Sequence, residues 1–185
     1  FMLGALGIEL ATEGPFKSGS KASYLINYRY STLSALEAIG LNPAGDVLPK
    51  YQDLSFKINV PTEKAGVFSL FGLAGNNTST ESASQDSTDL IDGDYEPFGF
   101  EETQTTGTIG LSHKLLLSNN SYLRTVAIVA YEQTTEEEYF FDEFNNNQRT
   151  IDYQDDIQNT TFRISSTYNQ KLSAKNTLRA GAIFS

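Results

Sequence analysis

Enzymatic chemistry needs groups that attack carbon, hold metals or move protons near neutral pH, and this chain is thinly supplied with them. Its 185 residues include no Cys, no Trp and one His, His113. A disulfide scaffold, a thiol nucleophile, a zinc finger and a multi-His metal centre are therefore excluded. His113 has no second imidazole or adjacent nucleophile pattern beside it and reads as an interfacial or structural residue. Gly14 to Lys21 spells G-x-x-x-x-G-S-K. A phosphate-binding loop needs Lys directly after the second Gly, then Ser or Thr, and a helix to follow, so this segment reads as a turn. Asp86, Asp89, Asp92, Asp94 and Glu96 offer the oxygen ligands that Ca²⁺ takes, with Gly93 for a bend, but the spacing is not that of an EF-hand. A solvated acidic loop is the better reading. Glu101 and Glu102 make no glycosidase pair, because opposing carboxylates must be set across a cleft. The expectation is a protein with no catalytic residue, no resident metal and no cofactor.

The acids are unevenly placed. Residues 76–104 hold eight Asp and Glu with no Lys or Arg, and residues 132–157 hold nine against a single base, Arg149. These two segments carry 17 of the 23 acids, and the remainder of the chain is basic, with 12 Lys and Arg against 6 acids. A net charge of -10 and a pI near 4.5 argue against nucleic acid as a partner, since phosphate binding needs clustered cations. Within the acidic segments lie Tyr95, Phe98 and Phe100, then Tyr139, Phe140, Phe141, Phe144 and Tyr153. Rings beside carboxylates mark a candidate recognition surface for a small molecule, a glycan or a peptide. Packing of the long connections against one another explains the same rings equally well.

The elements that must carry these groups are strands. No run approaches the roughly 18 apolar residues that a membrane helix requires. Instead, Ala22, Tyr24, Ile26, Tyr28 and Tyr30 alternate with Ser23, Leu25, Asn27, Arg29 and Ser31, and Leu54, Phe56, Ile58 and Val60 alternate with Asp53, Ser55, Lys57 and Asn59. The same period recurs at 105–116, 161–170 and 177–184, whereas 66–75 and 122–133 are apolar on both parities. Eight strands are expected near 2–11, 21–31, 51–60, 66–75, 104–116, 122–133, 159–171 and 177–185, the first reading as a strand cut at its beginning. Short connections alternate with long ones at 32–50, 76–103 and 134–158, and 32–39 suits a short helix.

Strands of about 10 residues with short turns at one end and long loops at the other are the pattern of an antiparallel up-and-down transmembrane β-barrel. In hydrocarbon every backbone group needs an internal partner, which a closed sheet provides. Arg29, Lys57, Arg124, Arg163 and Arg179 fall on the polar parity and are expected to face the lumen, while Tyr24, Tyr28, Tyr30, Tyr122, Tyr131, Tyr168 and Phe184 suit interfacial girdles.

Residues 14–40, from Gly-Pro-Phe-Lys-Ser-Gly-Ser-Lys to Leu-Glu-Ala-Ile-Gly, resemble barrel segments of TonB-dependent receptors of the type with a carboxypeptidase-like regulatory domain. Tyr51 to Lys57 and Lys64 to Gly72 are similar to the next hairpin of that family, so the resemblance covers about 14–75. It implies an outer-membrane importer for nutrient uptake in a Gram-negative envelope, with about 22 strands around a plug. Residues 1–185 would form a single barrel segment of eight strands, roughly a third of that wall. The implied partners are outer-membrane lipid, a plug domain and the TonB energy-coupling protein. Two alternatives stay open: a complete eight-stranded barrel with an adhesion or structural role, and a soluble acidic β-sandwich that binds carbohydrate.

Overall fold

The computed structural model describes residues 2–3, 7–31, 33, 48–83, 98–142 and 148–185. These form one antiparallel sheet in which each strand pairs with its sequence neighbours, in the order β1 to β9. The strands are β1 (Met2–Leu3), β2 (Gly7–Pro15), β3 (Ser23–Ser31), β4 (Leu48–Pro61), β5 (Val67–Glu81), β6 (Phe98–Ser118), β7 (Ser121–Asp142), β8 (Gln148–Lys171) and β9 (Thr177–Phe184). The all-β, antiparallel, up-and-down reading is the observed one. The sheet is open: β1 and β9 are its two ends and do not pair with each other.

Two differences from the sequence reading stand out. The opening segment is not one strand, because Met2–Leu3 runs antiparallel to Gly7–Pro15, pairing Met2 with Glu9 and Leu3 with Ile8. The central strands also run far beyond their expected ends: β6, β7 and β8 have 21, 22 and 24 residues. Much of 76–103 and 134–158, expected as loop, is therefore strand. Alternation of Thr with Glu and Gln carries no apolar period to mark a strand, yet Thr, Tyr and Phe suit the extended backbone and the ladder supplies the hydrogen bonds. The expected helix at 32–39 and the carboxylates from Asp86 to Glu96 lie outside the described residues, apart from Leu33.

The register sorts side chains onto two faces, since directly paired residues share a face. One row reads Thr12, Ile26, Phe56, Gly72, Ile109, Val129 and Phe162 across β2 to β8. The next reads Tyr24, Ile58, Leu70, Leu111, Ala127, Ile164 and Phe184 across β3 to β9. This face is apolar throughout its middle. Tyrosines stand toward its rims, each giving its hydroxyl to a glutamine: Tyr28 to Gln52, Tyr131 to Gln133 and Tyr168 to Gln170. His113 occupies the same face near the turns, where its Nε2–H donates to the Ala65 carbonyl at 2.6 Å and its ring stacks on Phe68. Tyr122 departs from the girdle expectation: it pairs with Asn169 on the other face and lies under the Lys114 ammonium.

No second described layer covers the apolar face. A globular protein of 20.4 kDa exposes about 8,800 Å², whereas this chain exposes 12899 Å². Leu33 and Ala83 are the buried apolar side chains among the described residues, while Ile109 and Leu111 are about half exposed (52% and 49%). The sheet thus has no core of its own. Its side-chain packing is in-plane, through cross-strand pairs such as Phe56 over Gly72 and Phe71 over Gly110, where an added Cβ would strike the ring. The β4–β5 turn closes with Thr62 N–H donating to Gly66 O at 2.8 Å, and the β8–β9 turn repeats this with Leu172 N–H and Asn176 O at 2.9 Å. Gly66 has φ +82°, a conformation that side chains rarely adopt.

Candidate functional site

Arg29, Lys57, Arg124, Arg163 and Arg179 all fall on the face opposite the apolar one, as the ladders require. Arg29 forms an ion pair with Asp53 at 2.6 Å on the neighbouring strand and lies over the Tyr51 ring. Arg124 Nε–H donates to Ser112 Oγ and Arg179 Nε–H to Asn169 Oδ1. Lys57 and Arg163 share one register row with Phe71, Gly110 and Ile128 between them, and Leu25 continues the row on the other side of Lys57. The face is therefore a basic, Ser- and Asn-bearing surface with an apolar island at its middle, where β5 and β7 are apolar on both parities.

The acidic segments meet at the far ends of β5 to β8, beyond the apolar rows. Here the paired strands stack acids directly: Glu102 faces Glu136, which faces Asp155, and Glu101 faces Glu137. Like charges set opposite each other destabilise a ladder unless something compensates them. On the side continuous with the apolar face, Arg149 does so. Its guanidinium pairs with Glu137, approaches Glu101 at 3.8 Å and lies 4.0 Å from the centre of the Tyr139 ring, whose edge contacts Phe141.

A bulge puts Arg149 there. The register between β7 and β8 slips at one point, Glu138 pairing with Tyr153 and Tyr139 with Ile151, so Asp152 is the extra residue. In an unbroken ladder the alternation would carry Arg149 to the other side. That other side holds Glu81, Glu102, Glu136, Glu138 and Asp155 with no Lys or Arg among the described residues of the far ends. It also holds Phe98 against Phe140 edge to face, Phe100, and Tyr153, whose hydroxyl donates to Asp155. The charge of Asp155 pushes the Tyr153 phenol above its ordinary value, with desolvation, the hydrogen bond and Glu136 acting in the same direction.

The structure thus brings six of the eight aromatic candidates together but divides them: Phe98, Phe100, Phe140 and Tyr153 share the uncompensated side, and Tyr139 and Phe141 share the Arg149 side. Tyr95 and Phe144 lie outside the described residues. Sequence reasoning noticed Arg149 as the lone base of its segment and gave it no role. The signal was the excess of acids around it, and the side it occupies depends on a bulge that no residue pattern announces. Among the described residues no group of three or more metal-ligating side chains converges. Comparison with family models, with curated proteins and with solved structures gave no match.

Proposed function

We propose that the chain forms part of the wall of an outer-membrane β-barrel, that of a TonB-dependent receptor or transporter for nutrient uptake in a Gram-negative envelope. The observation that carries the membrane reading is the uncovered apolar face. On β6 it runs from Gly107 through Ile109, Leu111 and His113 to Leu115, about 9 residues, the length of one tilted crossing of a bilayer. Tyrosines toward its rims suit the two interfaces, and the opposite face suits a water-filled interior lined by Arg29, Lys57, Arg124, Arg163 and Arg179. The unpaired sheet ends favour a larger closed wall over a complete eight-stranded barrel. The receptor assignment itself rests on the resemblance of residues 14–75.

In this reading the far ends of β6 to β8 stand outside the membrane. At about 3.3 Å per residue the 24 residues of β8 span roughly twice what a tilted crossing needs. Their aromatic and acidic side chains are the ligand-contacting surface for a small molecule, glycan or peptide. The apolar island of Phe71, Leu73 and Ile128 within the basic face is where a plug domain would pack, and energy coupling through TonB belongs to that plug rather than to any residue here. The test is an immunoblot of the isolated outer-membrane fraction with an antibody against residues 76–104. A band several times heavier than 20.4 kDa is expected. A band near that mass in the same fraction would favour the small barrel, and a signal confined to the soluble fraction would end the membrane reading.

A further inference from the structure

The two ends of the sheet carry opposite charge, and the turn end has received no role so far. Its described turns hold Lys17 and Lys21 between β2 and β3, Glu63 and Lys64 between β4 and β5, and Lys171 and Lys175 at the junction of β8 and β9. Five lysines therefore stand against one acid, all of them exposed. The far ends of the same strands carry the stacked glutamates and aspartates described above. This separation is not a by-product of composition, because the chain as a whole has 23 acids to 13 bases.

A second observation places these lysines beside apolar surface. Phe16 sits next to Lys17, is 56% exposed and contacts the apolar-face ring of Tyr24, with centroids 5.3 Å apart. Leu172, between Lys171 and Lys175, is also exposed, and Leu178 shares the apolar face with Gln170. Exposed apolar side chains therefore stand beside the lysines of both of these turns. A lysine at such a border lays its aliphatic stem on apolar surface and holds its ammonium in the polar layer just beyond.

We propose that the turn end of the sheet is a docking rim for anionic phospholipid headgroups, bound by Lys17, Lys21, Lys64, Lys171 and Lys175 as the apolar face enters the hydrocarbon. This rests on the membrane reading above and deepens it by naming the lipid chemistry. The charge complementarity is one-sided: the far ends would repel an anionic surface, so the same attraction fixes which end of the strands meets it. A lysine near an anionic surface strengthens the contact about five-fold at low salt, and screening removes the gain beyond the Debye length. Neutral headgroups offer the ammonium groups no comparable partner.

The experiment uses the whole barrel protein that contains this chain, reconstituted in phosphatidylcholine vesicles, and follows spin-labelled lipids by electron paramagnetic resonance. The fraction of label held motionally restricted at the protein surface is compared for phosphatidylglycerol and phosphatidylcholine. Phosphatidylglycerol is expected to be preferred by about five-fold or more at low salt, with the preference lost near 1 M salt. Replacing all five lysines by glutamine should lower it measurably, while Lys50→Gln at the far end should leave it intact. Restricted phosphatidylcholine at the parent level shows that the five-fold variant has still inserted, and the salt titration of the unmodified chain tests the same point without substitution. Restricted lipid with no headgroup preference, or a preference that survives both salt and the five substitutions, would overturn the docking rim alone. Absence of any restricted lipid would overturn the membrane reading and the rim together.

Discussion

Along β6, the stretch below Thr106 alternates Ile109 and Leu111 with Thr108, Gly110 and Ser112, and the stretch above it alternates Thr103 and Glu101 with Gln104 and Glu102. The backbone ladder to β7 continues through both. In the lower region one face is apolar and the opposite face basic and polar. In the upper region both faces carry acids and aromatic rings, and what distinguishes them is compensation: Arg149 serves one side and no described base serves the other. Hydrogen-bonded pairing is thus indifferent to the change, and the side chains alone record where a strand passes from an apolar-faced stretch to one that is polar on both sides. Among the described residues neither region contains a hydrophobic core, so both depend on surroundings that the sheet itself does not supply.

The largest effect should come from placing charge on the lower apolar face. Leu111→Arg is expected to destabilise insertion by about 2–4 kcal/mol, and Thr108→Arg, one face away, by about 1 kcal/mol or less. The measurement is the urea midpoint of the whole barrel protein folded in lipid vesicles, and equal losses for the two variants would erase the distinction between the faces. Next in size is in-plane packing. A Cβ at Gly110 would meet the Phe71 ring and Ile128 Cγ2, whereas one at Gly107 meets nothing within 4 Å. Gly110→Ala should therefore cost about 1–3 kcal/mol and Gly107→Ala should fall within about 0.5 kcal/mol of the parent, in the same unfolding assay.

Effects in the upper region should be smaller, because its charges are solvated. Arg149→Gln removes an exposed ion-pair partner of Glu137 and Glu101, for an expected loss of about 0.5–1 kcal/mol that disappears at high salt. Smallest in free energy is the titration of Tyr153. Its phenol is held above the ordinary tyrosine value first of all by the charge of Asp155. It should ionise above the ordinary tyrosine range in an ultraviolet titration, and Asp155→Asn should move its midpoint down. A Tyr153 midpoint that Asp155→Asn leaves unmoved would show that the carboxylates of this side do not act on it.

How legible this was in the sequence differs between the two regions for the same physical reason. In the lower region one face is apolar and the other polar, a period of two, so Tyr24 to Tyr30 and Leu54 to Val60 announced both their strands and their faces, and the five lumen candidates were sorted onto one side by parity alone. Where both parities were apolar, at 66–75 and 122–133, the facing was ambiguous until the register with β4 and β8 fixed it. In the upper region water accepts either face, no period is enforced, and Glu136 to Phe141 read as loop although they are strand. Phe100 and Tyr153 were legible as a candidate surface from type and acidic context. That they stand apart from Tyr139 and Phe141 was not, because one bulged residue, Asp152, decides it.

The central claim is that a single strand alternates between lipid and water below Thr106 and is wet on both sides above it. The chain contains no native Cys, so single cysteines can be read without background. In the isolated outer-membrane fraction, a membrane-impermeant maleimide should label Cys introduced at Thr108, leave Ile109 and Leu111 unlabelled, and label Glu101 and Glu102 alike. Equal labelling of Ile109 and Thr108, or protection of Glu101 together with Leu111, would contradict the account.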